Sequence, residues 1–180
     1  MKIGIAGAGG LGSNVAMNLV RTGVLNLKII DFDRIEESNL NRQFYFYDQI
    51  GITKVEALKE NLIRINNNLR IEIINEKIEK TNIKKLFEDC DIVIEAFDKD
   101  IYKKLFFNTF YNKKKLLVSA SGVAGNTIDN LEIKKIGNSF IVGDFQKGID
   151  KHKTYSTKVS MVAAMMANIV LLEGGFCNED

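Results

Sequence analysis

The sequence predicts an α/β fold in which a doubly wound, mostly parallel sheet carries helices on both of its faces. Short apolar segments alternate with amphipathic ones over most of the 180 residues, as in strand–helix–strand units. The second of these segments, Leu27–Ile30, is apolar except for Lys28, as expected of a strand that is covered on both sides. A glycine-rich stretch, Gly7–Ser13, joins the first strand to the first helix. A single domain spanning residues 1–180 accommodates this pattern.

The first two thirds of the chain alternate strand and helix. The first helix is expected to end near Gly23, a residue suited to a left-handed cap. The second helix places Val55, Leu58 and Leu62 on one face. The predicted strands are Ile3–Ala6, Leu27–Ile30, Ile71–Ile74, Ile92–Ala96 and Leu116–Ser119, and the predicted helices are Leu11–Arg21, Lys54–Ile65, Ile83–Phe87 and Ile101–Tyr111.

The last third of the chain breaks this alternation. Leu131–Ile136 and Ser139–Val142, joined at Gly137-Asn138, predict a late antiparallel hairpin. Val159–Leu172, rich in Ala and Met, predicts a final helix. Between them, residues 143–157 are polar and unpatterned, which indicates a functional loop or a disordered segment.

The composition bounds the function classes. A net charge of +2 gives no electrostatic case for nucleic acid or a membrane surface, and no apolar run is expected to span a bilayer. The chain begins on a strand without a signal peptide, so a cytoplasmic location is expected. The two cysteines cannot form a structural zinc site, which needs about four ligands. We expect Cys90 to be a small core residue and Cys177 to be exposed.

The glycine stretch predicts a phosphate-binding turn. Gly7 makes the turn, Gly9 and Gly10 let backbone N–H groups approach a phosphate, and the phosphates lie at the helix N-terminus. Gly12 allows the helix and the strand to pack closely. Asp31 ends the second strand about twenty residues later, where it can accept a hydrogen bond from a ribose hydroxyl. This much fits NAD and ATP equally.

A second motif favours a triphosphate. Arg42 follows the second strand and Lys54 opens the next helix, and two cations near a phosphate-binding turn suit ATP better than a nicotinamide. Asp33 is expected to help order the loop, with a solvated acid at the strand end as the alternative. Asp98 follows the fourth strand and could hold Mg²⁺ together with phosphate oxygens, or alternatively cap the following helix.

These residues together resemble the ThiF/MoeB family, bacterial relatives of the ubiquitin-activating enzymes. The resemblance rests on Gly7–Ser13, on Asp31-Phe32-Asp33, on residues 38–43 (Ser-Asn-Leu-Asn-Arg-Gln), and on Gly51, Lys54 and Asp98. Residues 119–122 and 142–144 look like the short ThiF-type variant.

The resemblance implies ATP- and Mg²⁺-dependent adenylation of the C-terminal glycine of a ThiS-like sulfur carrier protein, on the route to the thiazole of thiamine. It implies that Asp31 binds the ribose, that Asn39, Arg42 and Gln43 contact the ATP phosphates and the transition state, and that Lys54 binds phosphate. It implies a catalytic role for Arg42, Lys54 and Asp98. Asp98 would hold Mg²⁺. It also implies a homodimer, and that residues 143–157 form the crossover loop over the carrier's tail. His152, within that loop, is expected to be a solvated residue without a required role.

Three departures from the family leave alternatives open. The chain starts at the first strand, so the arm arginine that reaches the partner subunit's ATP is expected to be missing or replaced. The zinc-binding C-x-x-C pairs are absent, and no cysteine lies in residues 143–157, so a covalent sulfur step on this chain is not expected. The alternatives are a nucleotide-binding scaffold without adenylation activity and an NAD-dependent oxidoreductase.

Overall fold

The computed structural model describes residues 1–111, 113, 115–146, 148 and 152–177 and has the predicted architecture. Within these residues, seven strands form one sheet in the order β3-β2-β1-β4-β5-β7-β6. The strands are β1 (Ile3–Ala6), β2 (Asn26–Ile30), β3 (Arg70–Ile74), β4 (Ile92–Glu95), β5 (Leu116–Ala120), β6 (Glu132–Ile136) and β7 (Ser139–Gly143).

All neighbouring strands are parallel except β6, which runs antiparallel to β7. The late hairpin was predicted, and Gly137 takes a left-handed φ of 58° at its turn. β1 pairs with both β2 and β4. The chain adds β2 and β3 on one side of β1 and then crosses to add β4 and the later strands on the other side, so the strand order reverses between β1 and β4. Open α/β sheets bind ligands in the crevice at such a reversal, beyond the carboxyl ends of the strands.

Helices cover both faces of the sheet. They are α1 (Gly10–Arg21), α2 (Lys54–Ile65), α3 (Ile83–Leu86), α4 (Asp100–Phe110) and α5 (Ser156–Glu173). Residues such as Val15, Leu58 and Met166 place α1, α2 and α5 in one core cluster, and Phe87 and Phe106 belong to the other cluster with α3 and α4. As predicted, Cys90 is buried and Cys177 is exposed.

The final helix is longer than its sequence pattern predicted. It starts at Ser156 and includes Lys158, which lies fully buried with its ammonium group 2.6 Å from the carboxylate of Asp144. Together with the extension of β7 to Gly143, this reduces the predicted loop to residues 144–155, of which 147 and 149–151 lie outside the described residues.

The expectation that no apolar run reaches membrane-spanning length was wrong for α5. This helix has 18 residues with a mean hydropathy of 1.3, and half of it is buried inside the structure. Val162, Met166 and Val170 pack in the same core as α1 and the sheet. Such packing is typical of a core helix, which can be as long and as apolar as a helix that spans a membrane.

Candidate active site

A cleft of about 900 Å³ opens at the carboxyl edge of the sheet, where the strand order reverses. We call this space the cleft. It is lined by the glycine turn after β1, by residues following β2 and β4, and by residues 121–123 and 152–154. Of the predicted site residues, all except Gly12 line it: Gly7, Gly9, Gly10, Asp31, Asp33, Asn39, Arg42, Gln43, Lys54 and Asp98.

The glycine turn has the backbone that its sequence predicts. Gly7 has a φ of 96°, a left-handed value that favours glycine, and its N–H donates to the carbonyl of Ile30 at 2.8 Å. Gly12 lies behind the turn, where a Cβ would stand 1.9 Å from the Gly7 carbonyl oxygen. Glycine at this position therefore lets α1 start directly against β1. Gly9, Gly10 and Leu11, at the start of α1, line the cleft, so the positive end of this helix is directed to it.

Asp31 braces the turn from the end of β2. One carboxylate oxygen accepts the N–H of Ala8 at 2.6 Å and the other accepts the N–H of Asp33 at 2.8 Å. Burial raises the pKa of Asp31 above its usual range, although these two hydrogen bonds act in the opposite direction. Each carboxylate oxygen keeps a further lone pair, so a ribose hydroxyl can still donate to it.

Lys54 is not a solvated surface lysine. It is 6% exposed, and its ammonium group lies 2.9 Å from the carboxylate of Asp33. The Asp33 side chain is half exposed, so the pair faces the cleft rather than the core. Asp33 thus orders the lysine, a pairing that the sequence did not predict, and holds a positive charge beside the glycine turn.

The segment from Asn39 to Gln43 contributes amide and guanidinium groups. The Arg42 guanidinium donates to the Ser38 carbonyl at 3.1 Å and to the Asn41 side chain at 2.8 Å. The Asn39 side chain accepts the Glu36 N–H, which closes a short 3-10 turn. The side-chain oxygen of Gln43 is buried without a hydrogen-bond partner among the described residues. A buried polar group in that state is suited to a ligand contact.

Asp98 presents an exposed carboxylate to the cleft. Within the described part of the chain it makes no hydrogen bond or ion pair, and the N-cap of α4 is Lys99, without a side-chain cap. The alternative interpretation of Asp98 as a helix cap is therefore not realised. The described residues hold no group of three or more His, Cys, Asp or Glu side chains that could bind a metal ion by themselves. One carboxylate with phosphate oxygens is nevertheless a donor set that Mg²⁺ commonly uses.

Comparison with known proteins identifies the family of this chain. The ThiF family model matches residues 1–172. The chain belongs to the ThiF family. It is 31% identical over 137 residues to ubiquitin-like modifier-activating enzyme 5 of Caenorhabditis elegans, covering 70% of this chain and 32% of that protein. It is 29% identical to the adenylyltransferase and sulfurtransferase UBA4 of Candida glabrata, covering 99% of this chain and 44% of that protein.

Solved structures share the fold of this ThiF-family chain. The tRNA N6-threonylcarbamoyladenosine dehydratase TcdA of E. coli, in complex with AMP, superposes with a TM-score of 0.84 at 18% identity, covering 98% of this chain and 88% of that chain. E. coli MccB with AMPCPP and MccA superposes with a TM-score of 0.78 at 23% identity, covering 98% and 57% of the two chains. This chain spans less than half the length of ubiquitin-like modifier-activating enzyme 5 and of UBA4, the two curated relatives.

Sequence reasoning missed several residues of this ThiF-family site. The buried Tyr45 hydroxyl donates to the Ala8 carbonyl at 2.7 Å, with the Lys54 carbonyl at 3.3 Å, so it joins the glycine turn to the start of α2. Burial raises its pKa well above the usual value. Glu95 and Lys103, beside the cleft, were also missed. Nothing in the sequence pattern distinguishes these from ordinary strand, helix and loop residues.

The predicted loop contributes to the cleft through its described end. His152 is exposed and lines the cleft with Lys153 and Thr154. The Lys153 carbonyl accepts the N–H of Gly125 at 2.8 Å, which ties this end to the segment after β5. The exposure of His152 agrees with the expectation of a solvated side chain.

Proposed function

We propose that this chain adenylates the C-terminal glycine carboxylate of a ThiS-like, ubiquitin-fold sulfur carrier protein, using ATP and Mg²⁺, for thiazole and thiamine biosynthesis. The observation that carries the proposal is the convergence, in one cleft, of the glycine turn and the charged side chains of Asp31, Arg42, Lys54 and Asp98. A homodimer belongs to the same proposal and rests on the family resemblance. The cytoplasmic location and the single domain over residues 1–180 stay predictions from the sequence.

The phosphate side of the reaction follows from the charges. The N-terminus of α1 and the Lys54 ammonium neutralise phosphate oxygens, and the Arg42 guanidinium can turn from its neighbours to clamp the reacting phosphate. Asp31 accepts the ribose hydroxyl and fixes the nucleoside. Mg²⁺, held by Asp98 when bound, supplies further neutralisation of the phosphates.

The reaction then needs no nucleophile from the protein. A carboxylate oxygen of the carrier attacks the α-phosphorus, the bond to the bridging oxygen breaks, and pyrophosphate leaves with the electron pair. The products are the acyl adenylate and pyrophosphate. Positioning and electrostatic stabilisation are what the protein contributes in such phosphoryl transfers.

We assign the acceptor to another part of the same cleft. Beyond the residues assigned to the nucleotide, the cleft continues along residues 121–123 and 152–154, where backbone segments can flank an extended carrier tail. The curated relatives include enzymes named for activating ubiquitin-like modifiers, which supports a small protein as the acceptor. Neither cysteine is among the residues that line the cleft, so the sulfur is expected from a separate donor.

Pyrophosphate exchange into ATP tests the proposal. The reaction contains the chain, Mg²⁺, ATP and a ThiS-like protein ending in Gly-Gly, with a carrier lacking the last glycine as the negative control. We expect carrier-dependent exchange that collapses in Arg42→Ala and Asp98→Ala. The control variants Arg64→Ala and Asp129→Ala change exposed residues outside the cleft lining and should retain wild-type exchange. ATP binding without exchange would instead support the scaffold, and NADH binding without ATP binding would support the oxidoreductase.

A further inference from the structure

A buried carboxylate lies behind the turn that carries Asp98. Glu95, the last residue of β4, is 1% exposed. One of its oxygens accepts the N–H of Phe97 at 2.7 Å, and the other accepts the hydroxyl of Ser119 at 2.5 Å. These bonds join the end of β4 to the turn before α4 and to β5.

Lys103 supplies the charge that this carboxylate needs. It lies on α4, and its ammonium group is 3.1 Å and 3.3 Å from the two oxygens of Glu95. It also donates to the carbonyl of Ala120 at 3.0 Å. An ammonium group has three donors, so these contacts occupy all of them. Although Lys103 lines the cleft, with its side chain one-fifth exposed, it is held as a brace and is not free to contact substrate.

The Glu95–Lys103 pair connects the turn that carries Asp98 with the strand end before residues 121–123. Through Glu95 it fixes the Phe97 amide, one residue before Asp98, and through Ala120 it fixes the strand end before Ser121. A buried ion pair contributes little net stability compared with apolar residues of similar volume. Removing one partner would leave a charge buried beside the turn, so the turn would rearrange.

We propose that Glu95 and Lys103 are a positioning pair that presets the backbone turn carrying Asp98 for Mg²⁺ binding and keeps this turn in fixed relation to the acceptor side of the cleft. This inference rests on the proposed function, because it assigns Asp98 to the metal. Groups that orient a metal ligand typically change metal affinity about 10- to 100-fold when they are removed. The pair therefore acts on the Mg²⁺ requirement and not on nucleotide binding as such.

The test compares Glu95→Gln, Lys103→Met and the conservative Lys103→Arg with wild type. Lys104→Met is the matched control, since Lys104 is the next residue on α4, is exposed and does not line the cleft. Calorimetric titration gives the ATP affinity without metal and the Mg²⁺ concentration for half-maximal tightening of ATP binding, and a melting curve gives Tm. We expect the Mg²⁺ requirement to rise about tenfold in Glu95→Gln and Lys103→Met. Metal-free ATP affinity should be unchanged, Lys103→Arg should largely restore the Mg²⁺ requirement, and Lys104→Met should match wild type.

Three results would overturn the inference. The first is an unchanged Mg²⁺ requirement in folded Glu95→Gln and Lys103→Met. The second is a parallel loss of Tm, metal-free affinity and metal-dependent affinity, or failure of both variants to fold, which would show a general structural role. The third is a wild-type protein that does not bind ATP at all, which would overturn the proposed function as well and is thereby distinguished from the other two.

Discussion

Replacing Lys54 with methionine separates phosphate binding from folding. In the folded chain the ammonium group is 2.9 Å from Asp33, with the lysine side chain 8% exposed and the aspartate side chain 49% exposed. The half-exposed carboxylate stays hydrated when its partner is lost, so the pair contributes at most about 1 kcal/mol to stability. Methionine keeps an unbranched chain in the buried position. We therefore expect Tm to fall by no more than about 4 °C.

The effect on ATP should be much larger. A hydrogen bond between a charged donor and a phosphate contributes about 1.5–3 kcal/mol, which corresponds to a loss of about 10- to 100-fold in ATP affinity. Calorimetric titration with ATP and a melting curve measure the two quantities on the same samples. Lys59→Met, on the same helix but outside the cleft lining, is the control. Unchanged ATP affinity in Lys54→Met, or a loss of affinity explained by unfolding at the assay temperature, would refute the reasoning.

Three further changes have expected outcomes. Gly12→Ala puts a Cβ 1.9 Å from the Gly7 carbonyl, so denaturant unfolding should show a loss of about 1–3 kcal/mol or more, together with weaker ATP binding; wild-type values would contradict the packing argument. Asp31→Asn should weaken ATP binding. We expect the ATP affinity of wild type to fall as the pH drops through the raised pKa of Asp31, and the variant to lack this fall; an equal fall in both proteins would exclude Asp31 as its source. At the opposite edge of the sheet, hydrogen bonds from Lys2 and Lys28 lower the pKa of Asp89 despite its partial burial. The ionised Asp89 therefore stabilises the folded chain fully above about pH 4, and this contribution is lost as the pH falls toward the lowered pKa. Asp89→Asn should make Tm less dependent on pH in that range, and parallel curves of Tm against pH for the two proteins would contradict this.

The regular elements followed from hydrophobic periodicity, and the exceptions have physical causes. The helix Lys54–Ile65 and the strand Ile3–Ala6 have the predicted bounds. The helix buries one face, so its apolar residues recur at helical spacing, and the strand is buried on both faces, so it is a short apolar run. The start of α5 was predicted three residues late. Lys158 lay between the predicted loop, which ended at residue 157, and the predicted helix, which began at Val159. Its partner Asp144 lies 14 residues away, across a loop that carries no periodic signal.

The residues of the candidate site likewise fall into a group that the sequence predicted and a group that it did not. Residues that face a ligand, such as Asp31, Arg42 and Lys54, belong to a local motif with a chemical reason for its spacing, and the fold brings them to one cleft. Residues that support them did not stand out. Glu95 sits in an apolar strand and Lys103 on a helix rich in lysine, and their pairing depends on how α4 packs against β5. Tertiary contacts of this kind leave no pattern in the sequence.

The acyl adenylate itself provides the most direct test of the central claim. The wild-type chain is mixed with Mg²⁺, ATP and a ThiS-like carrier ending in Gly-Gly, and the intact mass of the carrier is recorded within seconds. The account predicts a gain equal to AMP less one water on that carrier, and no gain on a carrier without the last glycine or with Arg42→Ala. Tight ATP binding with no mass gain on the carrier would contradict it.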